Sequence, residues 1–349
     1  MKKIAILFGG KSTEHDVSIV SGTSVISNMD KSKYEIFPIY IDKSGDYYKY
    51  TKNVEYIKIL KLGETINELE KIENIIDYLN NVDVVFPVLH GKNGEDGTIQ
   101  GMLELIGISY IGCKVLSSSI CMDKVYTKVI LDKAGIEQAK YMYIKKYNDK
   151  YIYVQHNFNE LVLDSVELVS KVKDYLNFPV FIKPSNSGSS VGVNKSLNES
   201  DFIDYLEYAF KYDNKVLIEE AINGREVECA VLGNDDLMVS SVGEVLAAGE
   251  FYSFDSKYNN SESITVIPAN LDEYTIENIR KLAKKAFKAC DCKGLSRIDF
   301  FVENNTNRII LNEINTLPGF TEISMYPKLM DNVGISYSEL IDRLLELAE

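Results

Sequence analysis

The sequence predicts an α/β protein built from two or three compact lobes, on three observations. The chain has 349 residues, which is too long for one ordinary hydrophobic core. Its hydrophobic content of 45% and charged content of 26% are typical of a soluble globular protein. In the first third of the chain, apolar runs typical of strands alternate with helix-like segments, and this βα pattern predicts a parallel sheet.

The first predicted lobe covers residues 1–121 and contains the βα pattern. A segment rich in tyrosine and lysine, 46–62, has no clear period and is expected to decorate the edge of the sheet. The predicted strands are 3–8, 34–41 and 82–89, and the predicted helices are 17–28 and 68–79.

The second predicted lobe, residues 122–212, mixes helices and strands. Its first helix, 123–133, ends before Gly135, because glycine is a natural C-terminal stop. A tyrosine-rich segment, 147–158, separates its two strands. The strands are predicted at 141–145 and 180–183, and a helix is predicted at 199–211.

The third predicted lobe, residues 213–349, is the richest in strands. Its polar segment 248–263 has no hydrophobic period, so it is either an exposed loop or a lid that closes over a reacting group and excludes water. The strands are predicted at 216–219, 226–232, 238–245, 294–302 and 308–314. The helices are predicted at 272–290, with Asp272 as its cap, and at 336–348, where apolar residues recur at helical spacing.

Charge and cysteine usage exclude several classes of partner. The net charge is −14 and there is no basic block, which argues against binding to nucleic acid or to an anionic membrane surface. No apolar run reaches the roughly 18 residues that a membrane span needs. The five cysteines are an odd number without metal-ligand spacing. They are expected to be buried thiols in a reducing environment, which indicates the cytoplasm.

The clearest chemical signal lies on two neighbouring strand-like runs. Arg297 and Asp299 are two residues apart and share a face of their strand, as do Glu313 and Asn315 on the next one. A hairpin across residues 304–307 would bring three oxygen ligands and one guanidinium together, and Mg²⁺ prefers such hard oxygen ligands. Spacing alone also allows an exposed polar face with a surface ion pair, which would contribute little stability.

A loop rich in glycine and serine follows Lys183 and covers residues 184–192. Its backbone and hydroxyl donors could wrap phosphate oxygens while the lysine supplies a positive charge. The alternative is a plain turn.

Two glycine-rich turns follow predicted strands in the first lobe. Glu14 comes shortly after the first strand, where ligands of open α/β sheets bind, and its carboxylate would suit an ammonium group. It could equally be an acidic residue favoured by the dipole at a helix start. His90 opens the second turn, whose three glycines in residues 91–97 indicate a tight bend that faces a ligand.

Together, these residues resemble the D-alanine–D-alanine ligase family within the ATP-grasp superfamily. The resemblance spans essentially the whole chain. It implies an ATP-grasp fold with an N-terminal Rossmann-like parallel sheet, a central α+β lobe and a C-terminal antiparallel-sheet lobe. The motifs occur in this order: GGKSTEHDVS, LHGKNGEDGTIQG, CMDK, FIKPSNSGSSVG, FDSKY, SRIDF and LNEINTLPGF.

The resemblance also implies a role for each residue that matches a family motif. The ammonium of the first D-alanine would be held by Glu14, with Ser189 and Tyr258, while His90 would lie near its carboxylate. The residues implied to bind ATP are Lys124, Lys183 and Lys257 at the phosphates, Glu219, Glu220 and Ile222 at the adenine, and Glu226 at the ribose. The remaining roles are implied for Asp299, Glu313 and Asn315 with two Mg²⁺ ions, Arg297 and Gly319 as an oxyanion site, and Ser324 and Met325 at the second D-alanine.

The reaction implied is ATP-dependent formation of D-alanyl-D-alanine through a D-alanyl phosphate, for peptidoglycan synthesis. A carboxylate is a poor electrophile, so it must be phosphorylated first, and this step needs cations around the transferring group. The acyl phosphate must then be kept from water, which requires a closing loop. The resemblance further implies that Mn²⁺ can substitute for Mg²⁺ and that the protein is a homodimer.

Related activities remain as alternatives. Glu322-Ile323 stands where several relatives have Ser-His, and the closest alternative is a D-alanine–D-serine or D-alanine–D-lactate ligase. Lys257, Tyr258 and Met325 favour D-alanine at both sites.

More distant alternatives would leave different residues in place. Another ATP-grasp carboxylate–amine ligase would not need Glu14 or the Lys257-Tyr258 pair. A catalytically silent nucleotide-binding module would not need Arg297 or Glu313.

Overall fold

The computed structural model describes residues 1–246 and 264–348. The predicted lid loop 248–263, with the expected ATP ligand Lys257 and substrate ligand Tyr258, lies outside the described residues. Among the described residues, no helix has both the length and the apolar character that crossing a membrane requires.

The first sheet has six strands in the order β4-β3-β2-β1-β5-β6. Its central strands pair in parallel, β1 with β2 and β5, and β5 with β6, which confirms the parallel sheet expected from the βα pattern. At one edge, β3 and β4 add in antiparallel orientation. The elements are β1 (Lys2–Gly9), α1 (His15–Asn28), β2 (Tyr34–Ile41), β3 (Tyr47–Tyr50), β4 (Leu69–Lys71), α2 (Ile75–Leu79), β5 (Val84–Val88), α3 (Thr98–Ile106), β6 (Ser109–Tyr110) and α4 (Val115–Met122).

The prediction of a helix at 68–79 is wrong for the first half of this segment. Leu69–Lys71 forms β4 instead, because these residues pair with β3 at the edge of the sheet. The helix begins only at Ile75, where the side chain of Asn74 accepts hydrogen bonds from the backbone N–H groups of Ile76 and Asp77 and caps its N-terminus. The tyrosine-rich segment 46–62 does add to the sheet edge, as expected, and supplies β3.

The second sheet is antiparallel, with the order β11-β10-β12-β7-β8-β9. The assignment of residues 216–219 to the third lobe is wrong, because they belong to β12, which lies between β10 and β7 in this central sheet. Part of the second tyrosine-rich segment forms β8, next to β7. The elements are α5 (Lys124–Lys133), β7 (Tyr141–Tyr147), β8 (Lys150–Val154), β9 (Glu160–Leu163), α6 (Ser165–Tyr175), β10 (Val180–Pro184), β11 (Asn194–Ser196), α7 (Glu199–Ala209) and β12 (Lys215–Glu220).

The third sheet is antiparallel, with the order β15-β14-β13-β16-β17. The predicted hairpin that joins β16 to β17 is confirmed, as is Asp272, which caps the long helix by accepting a hydrogen bond from Thr275 N. The elements are β13 (Gly224–Leu232), β14 (Met238–Leu246), β15 (Ile264–Val266), α8 (Glu273–Ala289), β16 (Leu295–Glu303), β17 (Ile309–Asn315), α9 (Met325–Asn332) and α10 (Tyr337–Glu346).

One hydrophobic core joins the first sheet to the third. It includes Phe86 of β5, Leu344 of α10 and Phe320 of the segment between β17 and α9. The rings of Phe86 and Phe320 meet edge to face with centroids 5.7 Å apart. The Tyr337 hydroxyl donates a hydrogen bond to the Phe320 carbonyl. This core therefore fixes the segment that leads to Gly319 against the N-terminal sheet.

All five cysteines are buried free thiols, as expected. The sequence did not predict that Cys121 and Cys292 would lie close together, with their sulfur atoms 4.0 Å apart. Burial raises the pKa of the Cys113 thiol well above its usual value, and a hydrogen bond with Cys292 raises it further. Cys113 is therefore a protonated packing group.

We expect Leu344→Ala to lower the free energy of unfolding by about 2–5 kcal/mol, because it leaves a cavity in the core that joins the two sheets. Leu344 has no exposed surface, whereas Leu105 is 92% exposed. Leu105→Ala is therefore the matched control and should change stability by no more than about 0.5 kcal/mol. Urea unfolding followed by circular dichroism measures both variants, and equal stability losses would contradict the shared core.

Candidate functional site

A cleft with a volume of about 810 Å³ is lined by residues of the second and third sheets and by residues of the loops that follow β1 and β5 of the first sheet. It contains every predicted site residue that falls within the described residues. These are Glu14, His90, Lys124, Lys183, Ser189, Glu219, Glu220, Ile222, Glu226, Arg297, Asp299, Glu313, Asn315, Gly319, Ser324 and Met325. The structure thus brings together side chains that are up to about 300 residues apart in the chain.

The polar residues of β16 and β17 meet as the spacing predicted. Asp299 lies directly opposite Glu313, and Arg297 lies opposite Asn315. The Arg297 guanidinium donates to both oxygens of Asp299, from Nε at 2.8 Å and from Nη2 at 2.7 Å. The amide of Asn315 donates to Asp299 Oδ2 at 2.9 Å. A buried guanidinium and an amide therefore hold this carboxylate in place.

The donors on these two strands fit a magnesium ion. Asp299 and Glu313 offer carboxylate oxygens and Asn315 offers an amide oxygen, all of the hard type that Mg²⁺ prefers. Among the described residues, no three His, Cys, Asp or Glu side chains are grouped to hold a metal by themselves. A Mg²⁺ ion bound by these donors would take its remaining ligands from substrate phosphates and water.

Glu228, on β13, was missed by sequence reasoning. It lies directly opposite Asp299 on the other side of β16, and its carboxylate forms an ion pair with Arg297 Nε at 2.8 Å. Its alternation with Glu226 along an otherwise apolar strand was the available signal. Arg297 is thus paired with two buried acids.

Two lysines share one buried carboxylate in the part of the cleft wall that the central sheet and α5 form. Glu219 Oε2 lies 2.5 Å from Lys183 Nζ, and Glu219 Oε1 lies 2.7 Å from Lys128 Nζ. Burial would raise the pKa of Glu219, but the two ammonium groups lower it to about 2. Lys128 was not predicted, although it follows Lys124 by four residues on α5 and so shares its helix face.

Lys124 is placed by the start of α5. Asp123 caps this helix by accepting hydrogen bonds from Val125 N and Tyr126 N, and Asp123 is itself held by the Ser185 hydroxyl at the end of β10. The Lys124 ammonium donates to the carbonyl of Ser187 in the glycine- and serine-rich loop. Burial lowers the pKa of Lys124. By capping α5, Asp123 therefore positions Lys124 against loop 184–192, which is expected to bind phosphates.

The glycine- and serine-rich loop 184–192 also approaches Glu14. A Cβ atom at Gly188 would lie 3.1 Å from Glu14 Oε2, and one at Gly91 would lie only 2.3 Å from it. Glycine at both positions leaves room for the carboxylate. Ser189 follows with φ of +49°, in the left-handed region. The two glycine-rich loops and the start of α1 therefore meet around this acid.

Glu95 is a second acid at this point that sequence reasoning missed, although it lies inside a quoted motif. Its Oε2 accepts a hydrogen bond from Gly91 N at 2.8 Å. Burial, together with the nearby Glu14 carboxylate, raises the pKa of Glu95 to about 8. It is therefore protonated at neutral pH, so the two acids beside Gly91 do not both carry charge.

His90 is buried and uncharged. Its Nδ1 lies 3.3 Å from the carbonyl of Leu317 and its Nε2 lies 2.8 Å from the Ser21 hydroxyl. Because a carbonyl only accepts, Nδ1 carries the proton and Nε2 accepts from Ser21. Burial lowers the pKa of His90 to about 4. The Ser21 oxygen also accepts from Phe320 N at 3.3 Å, so His90 and Ser21 tie α1 to residues 317–320.

The residues expected at the second substrate form one corner of the cleft. Ser324 precedes α9, and its oxygen accepts a hydrogen bond from Thr321 N at 3.0 Å. A Cβ atom at Gly319 would lie 2.9 Å from Ser324 Oγ, so the two residues are in close contact. Met325 is buried against Gly243, whereas Ile323 is 69% exposed.

Comparison with known proteins agrees with this geometry. The family model for the D-ala D-ala ligase N-terminus matches residues 3–113, and the model for the D-ala D-ala ligase C-terminus matches residues 130–346. The D-alanine–D-alanine ligase of Acetivibrio thermocellus is 47% identical, over 99% of this chain and 96% of the relative.

Solved structures match the whole fold. The VanG D-Ala:D-Ser ligase of Enterococcus faecalis has a TM-score of 0.84 and 38% identity, over 99% of each chain. The D-alanine–D-alanine ligase of Bacillus anthracis, solved in complex with ATP, has a TM-score of 0.75 and 32% identity, over 99% of this chain and 97% of the other. These matches confirm the predicted ATP-grasp fold.

The raised pKa of Glu95 makes stability depend on pH in a defined direction. In the unfolded chain this acid loses its proton near its usual pKa of 4.5, whereas in the folded protein it keeps the proton up to about pH 8. The folded state therefore binds more protons across this window, and its stability falls as pH rises through it. We expect Glu95→Gln to weaken this fall, and melting temperatures at pH 5.5 and 8.5 measure it. Glu73→Gln, at an exposed acid, should retain the wild-type fall, and an unchanged pH dependence in Glu95→Gln would contradict the assignment.

Proposed function

Since this chain belongs to the D-alanine–D-alanine ligase family, we propose that it uses ATP to join two D-alanines through a D-alanyl phosphate. The observation that carries the proposal is the arrangement of the cleft. An acid suited to an ammonium group, Glu14, two phosphate-binding lysines and the Arg297 site all open into the same space. A plain nucleotide-binding cleft would need only the lysines.

The first step would be phosphorylation of the first D-alanine. Lys124 and Lys183, which line the cleft, would neutralise the phosphates of ATP, and Glu220, Ile222 and Glu226 would contact its nucleoside. Asp299, Glu313 and Asn315 would hold two Mg²⁺ ions, with Mn²⁺ as a substitute. A bound metal ion would supply neutralisation of charge on the transferring phosphoryl group.

The first D-alanine would be oriented by the carboxylate of Glu14, since an ammonium group offers it a charge-assisted hydrogen bond. Ser189, which follows Gly188 in the adjacent loop, would hold this pair together with Tyr258. His90 is uncharged, so its contribution to the substrate carboxylate would be a fixed position and not a positive charge.

The second step would be attack by the amine of the second D-alanine, in the corner formed by Ser324 and Met325. The tetrahedral oxygen that then develops negative charge needs donors placed in advance. Arg297 and the backbone N–H of Gly319 would supply them. Because residues 317–320 are tied to α1 through His90 and Ser21, the Gly319 donor is held in place before substrate arrives.

Three broader properties belong to the same proposal. The dipeptide would enter the synthesis of peptidoglycan precursors. The reaction consumes ATP, which places the protein in the cytoplasm. The resemblance to the family makes a homodimer the expected assembly, and sedimentation of the purified protein would test that expectation.

The direct test is release of ADP from ATP in the presence of Mg²⁺ and D-alanine, followed by mass spectrometry of the product. We expect one ADP for each D-alanyl-D-alanine formed and no ADP without D-alanine. If ATP bound and no ADP appeared with D-alanine, the protein would be a nucleotide-binding module.

Ligation of D-alanine to D-serine is the second candidate, because the VanG D-Ala:D-Ser ligase matches this fold with a TM-score of 0.84. D-alanine, D-serine and D-lactate competing as second substrate would separate the two reactions. We expect D-alanyl-D-alanine to dominate. Preferred incorporation of D-serine or D-lactate would overturn the D-alanine assignment and leave the ligase chemistry intact.

We expect Glu313→Gln to abolish turnover while the circular dichroism spectrum stays that of the wild type. The substitution keeps the shape of the side chain but removes a negative charge from the proposed metal site. Glu303→Gln, at the far end of the same hairpin and paired there with Arg308, is the matched control and should retain activity. Near-normal turnover of Glu313→Gln in the ADP assay would refute the metal role.

A further inference from the structure

Three carboxylates form a row across three neighbouring strands of the third sheet. Glu228 of β13 lies opposite Asp299 of β16, and Asp299 lies opposite Glu313 of β17. One cation, Arg297, is bonded to the first two acids of the row. The proposed metal would use the second and third, so Asp299 belongs to both sets.

Asp299 is already occupied by donors on both of its oxygens. Oδ1 accepts from Arg297 Nε, and Oδ2 accepts from Arg297 Nη2 and from Asn315 Nδ2. A carboxylate has only about four acceptor positions in its plane. Arg297 and Asn315 take three of these positions, and each oxygen already accepts from the guanidinium, so a cation that binds Asp299 at either oxygen meets Arg297 there.

Loss of Asp299 would be costly for Arg297 unless another acid remained. The guanidinium lies in the interior of the cleft wall, with 15% of its side chain exposed, and the Glu228 side chain is 11% exposed. A buried charge left without a partner is strongly destabilising. Glu228 lies 2.8 Å from Arg297 Nε on the side away from Glu313, so it can hold the guanidinium without blocking the metal position.

We propose that Glu228 is a positioning residue that retains Arg297 at the oxyanion site when Asp299 turns to a divalent metal ion. This inference rests on the proposed function, because it assumes that Asp299 and Glu313 hold the metal. Glu228 itself need not touch the metal or the substrate. Its action is through Arg297, whose guanidinium it keeps paired in both states of the site.

The proposal predicts weaker metal binding when the charge of Glu228 is removed. In Glu228→Gln, Arg297 loses one of its two ion-pair partners and keeps only Asp299. A metal ion that binds Asp299 must then draw this carboxylate away from a guanidinium that has no second ion-pair partner to hold it. We expect the affinity of the ADP complex for Mn²⁺ to fall by about 10-fold or more, the range seen when residues behind a metal ligand are changed. Electron paramagnetic resonance of free Mn²⁺, titrated into enzyme saturated with ADP and without D-alanine, measures this directly.

Two further variants separate this role from general destabilisation. Glu228→Asp keeps the charge and should recover most of the lost Mn²⁺ affinity. Glu244→Gln breaks a similarly buried pair in the same sheet, where Glu244 accepts from Nε and Nη2 of Arg225, but neither residue lines the cleft. It should lower thermal stability and leave Mn²⁺ affinity within about twofold of the wild type, since this pair shares no partner with Arg297 or Asp299.

The outcomes distinguish a failure of this inference from a failure of the proposed function on which it rests. Equal Mn²⁺ affinity in the wild type and Glu228→Gln would overturn the role of Glu228 and leave the metal site standing. An equal loss of Mn²⁺ affinity in Glu228→Gln and Glu244→Gln would also overturn the role of Glu228, because it would show that the loss follows from lower stability alone. If the wild-type ADP complex itself bound no Mn²⁺, the proposed metal site would be wrong, and this inference would be wrong as well.

Discussion

The cations of this site are held by buried carboxylates, and this pairing governs how the rest of the cleft is built. Glu219 lies between Lys128 and Lys183, and Arg297 is paired with Asp299 and Glu228. Since the whole chain carries a net charge of −14, positive charge has to be concentrated locally to attract a polyphosphate. Burying a lysine or arginine without a partner would cost several kcal/mol. Each acid therefore stabilises a cation that is largely shielded from solvent before any ligand binds.

This arrangement has a consequence for ligand binding. A phosphate that binds Lys183 competes with Glu219, and a metal that binds Asp299 competes with Arg297. In each case a second pairing remains, Glu219 with Lys128 and Arg297 with Glu228. Under the proposed function, binding would then be an exchange of partners within the cleft wall, in which Glu219 and Arg297 each keep one partner of opposite charge.

The position of the reacting groups depends on contacts between lobes. The core shared by the first and third sheets carries Phe320, and the hydrogen bonds of His90 and Ser21 fix the neighbouring segment. On the other side, Gly188 brings the loop of the central lobe against Glu14. The proposed ammonium, phosphate and oxyanion sites therefore draw on residues next to all three sheets.

The sequence by itself determined the fold class, the two strands proposed to hold the metal and most of the polar residues that line the cleft. Local patterns specify these: alternation along β16 and β17 places Arg297 and Asp299 on one face, and glycine-rich turns mark the ends of strands. Only the tertiary structure decided that β12 lies in the central sheet and that Glu95, Lys128 and Glu228 belong to the site. These three contribute through a partner distant in the chain, and burial and pairing of charge arise only once the lobes are packed together.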